Sequence, residues 1–252
     1  MNKNDLTVIT VVENDKGLLD LMIQSVYKFT NPKPKIIICD QGRNGKKLDK
    51  YRNDENITIV PNKPDLQGGS NKHSSGLNKI FPMVKTTRTA IVESDCIILR
   101  EGWDDIYFPK YKMLASKKGE IAGHPFYHVC FMVFSTNLLK HNGIVDFRPG
   151  KEGNRSNRPY LSHEDVGWSI RNKVDPKEVK LVDFVDCKSG KGYYFNEGFQ
   201  SDEFWVDGLP TIAHFGRGSN LAGKAVRKGF KSSQEQLKEW KKIAERIIKG
   251  AK

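Results

Sequence analysis

Four short apolar runs constrain this chain more than any other feature. They are LTVITVV (6–12), KIIIC (35–39), NITIV (56–60) and TAIV (89–92). Most place β-branched residues at consecutive positions instead of alternating them with polar ones, so each run expects cover on both of its faces. Between the first two, Leu18, Leu19, Met22, Val26 and Phe29 fall at helical spacing within residues 16–29. NPKP (31–34) then breaks the helix. The second run ends at Asp40 and the turn residues DQGRNG, and LQGGSNKHSSGLNKIF reads as a Gly/Ser loop leading into a helix. The order β-α-β-turn-β-loop-α-β predicts an open α/β sheet, mostly parallel, with right-handed crossovers. Ligands of such sheets bind at the carboxyl ends of the strands.

The second half of the chain is less regular. HVCFMVFST (128–136) is strongly strand-like, and KLVDFVDC and GYYFNEG read as further strands. VDFRPGKEGNRSNRPYL is a long polar loop, a candidate lid from Asp146 to Tyr160. SHEDVGWSIRNK opens like a capped helix, with Ser162 followed three residues later by Asp165. PTIAHFGRGSN places an apolar pair ahead of His214 and a Gly-rich turn. In the closing segment, Leu237, Trp240, Ile243, Ala244 and Ile247 share one helix face.

No apolar run approaches the length that spans a bilayer, and the amino-terminal run is too short and too soon followed by acids for a signal peptide. The four cysteines form no CxxC pair, so the expectation is a reducing, cytoplasmic compartment without structural zinc. For a viral chain that compartment would be the host cytoplasm. The net charge of +12 suits a polyanionic partner. From Lys224 to Lys252 there are ten Lys/Arg against three Glu, a net +7, so over half of the excess sits in the last 29 residues. That helix reads either as a contact for a polyanion or membrane surface, or as a face that packs on the domain with its lysines in water.

Five features could carry chemistry. Glu93-Ser94-Asp95 interrupts an apolar run, AIVESDCIIL, where carboxylates are costly to bury unpaired. Alternate strand residues project to one side, so Glu93 and Asp95 could jointly hold a hard divalent cation such as Mg2+ or Mn2+. The triplet also reads as a turn with solvated acids. His214 is a candidate imidazole ligand, and Arg217 beside it a candidate anion partner. Glu164 and Asp165 read as a helix cap or as a general base at a cleft. Asp40 with Gly42 is a turn signal. GGSNKHSSG lacks the spacing of a phosphate-binding P-loop.

In this order these segments resemble glycosyltransferases of the GT-A fold, and most nearly the large family 2 of inverting nucleotide-sugar enzymes. The resemblance covers roughly residues 6–220 and rests on five stretches. The opening strand and helix resemble those of the family. IIICDQGRNG resembles its VDDGSTDG-type turn. SNKHSSGLNKIFPMVKTTRTAIVESD resembles its N-x-G-x-x-x-A-R-N-x-G helix followed by the metal-binding DXD. HEDVGWSIR resembles its ED motif, and IAHFGRGSN its carboxyl-terminal His-and-Gly segment. Glu93 stands at the first acid of the DXD, Gln41 where Asp is common and His73 where Arg is common.

The resemblance implies a Rossmann-like open mixed sheet, mostly parallel and flanked by helices, over residues 1–220, with a basic helical extension at 221–252. It implies a nucleotide-diphosphate sugar, a UDP-sugar first, as co-substrate. Asp95 would be the principal ligand for Mn2+ or Mg2+, with His214 beside it and Glu93 secondary. Glu13, Asp40, Glu93 and Arg217 would contact the nucleotide. Asp165, with Glu164, would take the acceptor proton, and a single base opposite the leaving group implies inversion. The acceptor stays open: a glycan, a protein or a modified nucleic-acid base. The competing readings are a sugar-nucleotide pyrophosphorylase, a metal-dependent nuclease using Glu93, Asp95 and Asp165, and a non-catalytic nucleic-acid-binding protein.

Overall fold

A computed structural model describes residues 5–42, 44–63, 69–105, 110–121, 124–141, 143, 145–149, 166–196, 199–216 and 233–250. In its amino-terminal half, β1 (Leu6–Val12), α1 (Leu19–Phe29), β2 (Lys35–Asp40), β3 (Ile57–Pro61), α2 (Gly69–Ile80), β4 (Arg88–Val92) and β5 (Cys96–Ile98) follow one another. The second half adds β6 (Met113–Ile121), β7 (His124–Ser135), α3 (Thr136–Lys140), β8 (Val179–Asp186), β9 (Asp202–Val206), β10 (Leu209–His214) and α4 (Ser233–Lys249). The strands form one mixed sheet in the order β3-β2-β1-β4-β7-β6-β8-β9-β10-β5. β3, β2, β1 and β4 run parallel, as does β8 to β6, and the other neighbours pair antiparallel.

The consecutive apolar residues of β1 and β2 are explained by two helical layers. Val8, Val12, Ile36 and Ile38 pack on one side with Leu19, Met22, Ile23 and Val26 of α1. Ile9, Ile37 and Cys39 pack on the other with Leu77 and Ile80 of α2. Each such side chain, taken fully out of water, contributes about 1.5–3 kcal/mol. α2 approaches closely because Gly76 has no side chain, since a Cβ there would lie 2.7 Å from Val11 Cγ1 and 2.8 Å from Gln41 Nε2.

α1 begins at Leu19, three residues later than its apolar spacing predicts. Asp15 Oδ1 accepts from the amides of Gly17, Leu18 and Leu19, and Gly17 takes a positive φ of 80°, so residues 15–18 form the capping turn. β5 is the sheet edge beyond β10, and Ser25 Oγ of α1 accepts the amide of Ile98 at 2.9 Å, which occupies a donor the edge would otherwise expose.

Two expectations are corrected. GYYFNEG is not a strand over its described residues. Instead of entering a ladder, the successive amides of Tyr193, Tyr194 and Phe195 all donate to the Glu203 carboxylate at 2.8–2.9 Å. The capped helix expected from Ser162 appears in its described part as a short 3-10 turn at Trp168–Asn172, preceded by Gly167 with a φ of 81°. Ser162 and residues 150–160 of the expected lid lie outside the described residues.

α4 packs on the domain. Trp240 and Ala244 are fully buried with Leu18, Leu21, Ile97, Ala213 and Phe215, and the Trp240 ring stacks on Phe195 at 5.1 Å. Leu237, Ile243 and Ile247 join this cluster, so the apolar stripe is turned inward while Lys238, Lys242, Arg246 and Lys249 stay exposed.

Candidate functional site

Strand order reverses across β1, with β2 and β3 on one side and β4 on the other. An open α/β sheet leaves a crevice at the carboxyl edge of such a switch point. Here it is a cleft of about 390 Å³, whose walls include Glu13, Lys72, His73, Glu93, Asp95 and His214. Glu13 follows the last residue of β1. Lys72 and His73 come from the first turns of α2, and Glu93 and Asp95 from the turn between β4 and β5. His214 ends β10, more than a hundred residues further along the chain.

That turn is held from both sides. Glu93 N donates to Cys130 O of β7 at 2.9 Å, Cys96 N donates to Glu93 O at 3.0 Å, and Phe215 N donates to Asp95 O at 2.9 Å. The two carboxylates therefore sit on a backbone tied to β7 and β10 together. His214 Nε2 lies 3.2 Å from Glu93 Oε2 and 3.5 Å from Asp95 Oδ1, while its Nδ1 lies 3.6 Å from Asp202 Oδ2. Register explains the last contact: His214 is directly opposite Asp202 on β9 and directly opposite Cys96 on β5. Antiparallel partners point to the same face, so Asp202, His214 and Cys96 form a row across three strands.

Burial by itself disfavours the His214 imidazolium. The Asp95 carboxylate first, with the contact to Asp202, more than offsets it, and the ring is held protonated well above the ordinary histidine range. The carboxylates that draw a proton to His214 would draw a divalent cation as well, and proton and cation compete for Nε2. Two carboxylates and an imidazole whose second nitrogen faces an acid are a donor set that fits a divalent ion.

The structure brings Glu13, Glu93, Asp95 and His214 into one cleft. Three refinements come with that. Glu93 is bridged between two imidazoles, with Oε1 3.3 Å from His73 Nδ1 and Oε2 toward His214. Among the described residues, the set with ligand atoms all within 4.8 Å of one another is Asp95, Cys96 and His214, without Glu93. Glu13 is paired with Lys72 Nζ at 2.7 Å.

Asp40 is not part of the cleft wall; Gln41 is. Asp40 Oδ1 accepts from Gly42 N at 2.9 Å and Asn44 Nδ2 at 2.7 Å, and Asn44 Oδ1 accepts from Asp15 N at 2.8 Å. In the structure Asp40 thus plays a supporting role through Oδ1. Asp40 braces the loop after β1 that carries Glu13, because the turn spends its carboxylate locally. Glu164, Asp165 and Arg217 lie outside the described residues.

Lys72, Asp202 and Cys96 were not readable as site residues. Lys72 and Asp202 sit in ordinary polar stretches and Cys96 in an apolar one, and only helix docking and strand register bring them here.

No protein-family model matches the chain, and no curated protein matches it. Among solved structures it is similar to the mannosyltransferase PcManGT from Pyrobaculum calidifontis in complex with GDP-Man and Mn2+. That match has 15% identity and a TM-score of 0.42, over 54% of this chain and 46% of that one. It is similar to S. aureus TarS 1–349 at 16% identity and a TM-score of 0.42, over 59% of this chain and 51% of that one. A third is the glucosyl-3-phosphoglycerate synthase from Mycobacterium tuberculosis, at 12% identity and a TM-score of 0.40, over 54% of this chain and 58% of that one. The chain thus spans about half the length of the structures it matches.

Proposed function

We propose that this chain is a metal-dependent, inverting glycosyltransferase that moves a sugar from a nucleotide-diphosphate sugar, a UDP-sugar first, to an acceptor hydroxyl. The acceptor would be a glycan, a protein or a modified nucleic-acid base. One observation carries the reading. The acids of the Glu-Ser-Asp turn and a histidine from the far end of the sheet converge at 3.2–3.5 Å in the crevice at the switch point. A turn of solvated acids would not need that convergence.

Asp95 Oδ1 and His214 Nε2 would hold Mn2+ or Mg2+, with Glu93 at its margin. When bound, such an ion neutralises charge on the departing diphosphate. Asp202 faces His214 Nδ1 and thereby turns Nε2 toward the cleft. Lys72 adds a second positive charge on the cleft wall, held in place by Glu13. Arg217 is assigned to the diphosphate and Asp165, beside Glu164, to the acceptor proton. These three assignments rest on their motifs. Asp165 would take the proton as the oxygen attacks the anomeric carbon opposite the leaving group, which inverts that centre. The carbon passes through an oxocarbenium-like state, as in glycoside hydrolysis.

The test is transfer or hydrolysis across a panel of nucleotide sugars with and without Mn2+. Asp95→Ala should abolish metal-dependent donor binding, and Asp165→Ala should keep binding and lose transfer. Failure of every donor to bind in the presence of metal would reject the reading, and full transfer by Asp165→Ala would reject that base.

A further inference from the structure

The sequence reading expects an ion held by oxygen and imidazole alone. The tightest ligand set among the described residues adds a thiol. The ligand atoms of Asp95, Cys96 and His214 lie within 4.8 Å of one another. We propose that Cys96 is a third ligand to the cation that Asp95 and His214 hold, and that it gives this site a preference for borderline divalent ions such as Zn2+ and Co2+ over Mg2+. The inference rests on the cation site described above and names which ions it selects.

Strand register places the thiol. Cys96 is directly opposite His214 in the β5–β10 pair, so both side chains leave the same face of the sheet. Beyond this row, Ile98, Ile212 and Phe204 continue the same face into the core. The row is therefore where apolar packing gives way to the cleft. Cys96 is fully buried, while the side chains of His214 and Asp95 are 15% and 12% exposed. An ion would enter past these two and meet the sulfur beneath them. Cys96 Sγ donates only a long bond, 3.6 Å, to Cys130 O.

The chemistry follows from the donors. Thiolate and imidazole favour Zn2+ and Co2+, whereas Mg2+ demands oxygen ligands. Three protein ligands with a fourth position open is the arrangement of a catalytic zinc site. As the metal–sulfur bond forms, the thiol proton and the Nε2 proton of His214 both leave to solvent, and His214 binds as neutral imidazole. With bonds of about 2.0–2.3 Å, a tetrahedral ion holds its ligand atoms about 3.3–3.8 Å apart. The set, within 4.8 Å before an ion binds, must therefore tighten by up to about 1–1.5 Å.

The experiment titrates the metal-free full-length chain with Co2+ and, separately, with Mn2+. Co2+ should give a near-ultraviolet thiolate-to-cobalt charge-transfer band, displaced by Zn2+ and not by Mg2+. Cys96→Ser should lose that band and bind Zn2+ about 10–100-fold more weakly, as expected when a ligand or its close support is removed. Mn2+ binding, read by electron paramagnetic resonance, should change little in that variant. Cys130→Ser should keep the band. Zinc-edge absorption on the wild type should read one sulfur at about 2.3 Å, which does not depend on any variant folding. Co2+ binding without the band, or Zn2+ binding without the sulfur, would overturn the thiol ligand and leave the cation site standing. Failure of the wild type to bind either ion would overturn both.

Discussion

Replacing Glu203 with Gln should destabilise this protein more than any single change in the cleft. Glu203 is fully buried on β9. Its Oε1 accepts from Tyr194 N and Phe195 N, and its Oε2 from Tyr193 N and Trp205 Nε1, at 2.8–2.9 Å. All four partners are donors that cannot turn into acceptors. A Gln offers one oxygen, so whichever way the amide lies, its NH2 group faces two N–H donors. Hydrogen bonds to an ionised acceptor contribute about 1.5–3 kcal/mol each, so losing two removes about 3–6 kcal/mol. Removing a buried charge returns part of that, and about 3 kcal/mol net is expected. For a chain of this size that lowers the melting temperature by about 6–12 °C. Urea unfolding of the two proteins measures it, and adding Trp205→Phe to the variant should recover about 1 kcal/mol by removing one stranded donor. A loss below about 1 kcal/mol would refute the argument that one carboxylate holds residues 193–195 in place.

Asp202→Asn should weaken Mn2+ binding about 10–100-fold by releasing His214 from its orientation, while the thermal midpoint moves little; unchanged affinity would show that the ring is set by other contacts. Asp40→Ala should loosen the loop carrying Glu13 and raise KM for every nucleotide donor alike, whereas a change in base preference would restore a direct base contact. Burial pushes the thiols of Cys39, Cys130 and Cys187 up to about 12 and that of Cys96 well above its ordinary value. A thiol-reactive dye at pH 8 should therefore label none of the four quickly in the native protein and all four in guanidinium. These thiols ionise more easily once unfolded, so their stability contribution is intact below about pH 9 and is lost as pH rises toward about 12, and the urea midpoint should fall across that window.

The sequence was most legible where one residue type repeats for one reason. β1 and β2 were readable to within a residue because helices on both faces demand apolar side chains at every position. The acids of AIVESDCIIL stood out because carboxylates inside an apolar run need a partner, and His214 because its Gly-rich neighbours resemble a known segment. Tyr193–Phe195 misled the reading because aromatic residues suit a strand, yet their amides found a carboxylate before they found a ladder. The start of α1 was misjudged because apolar spacing does not reveal a capping turn.

By itself the sequence determined the open α/β layering, the carboxyl edge on which chemistry would sit and the acids and histidine to look for there. Local periodicity and the cost of burying charge suffice for the layering and for the acids, while the histidine rests on the resemblance of its Gly-rich neighbours to a known segment. Only the tertiary structure decided how those residues relate. Helix docking brought Lys72 to Glu13 and His73 to Glu93, while the turn after β2 engaged Asp40 through Gly42 and Asn44. Strand register set Asp202 and Cys96 on either side of His214. A one-residue slip in either pairing would send those side chains to the opposite face, and no property of the residues taken singly records which register holds.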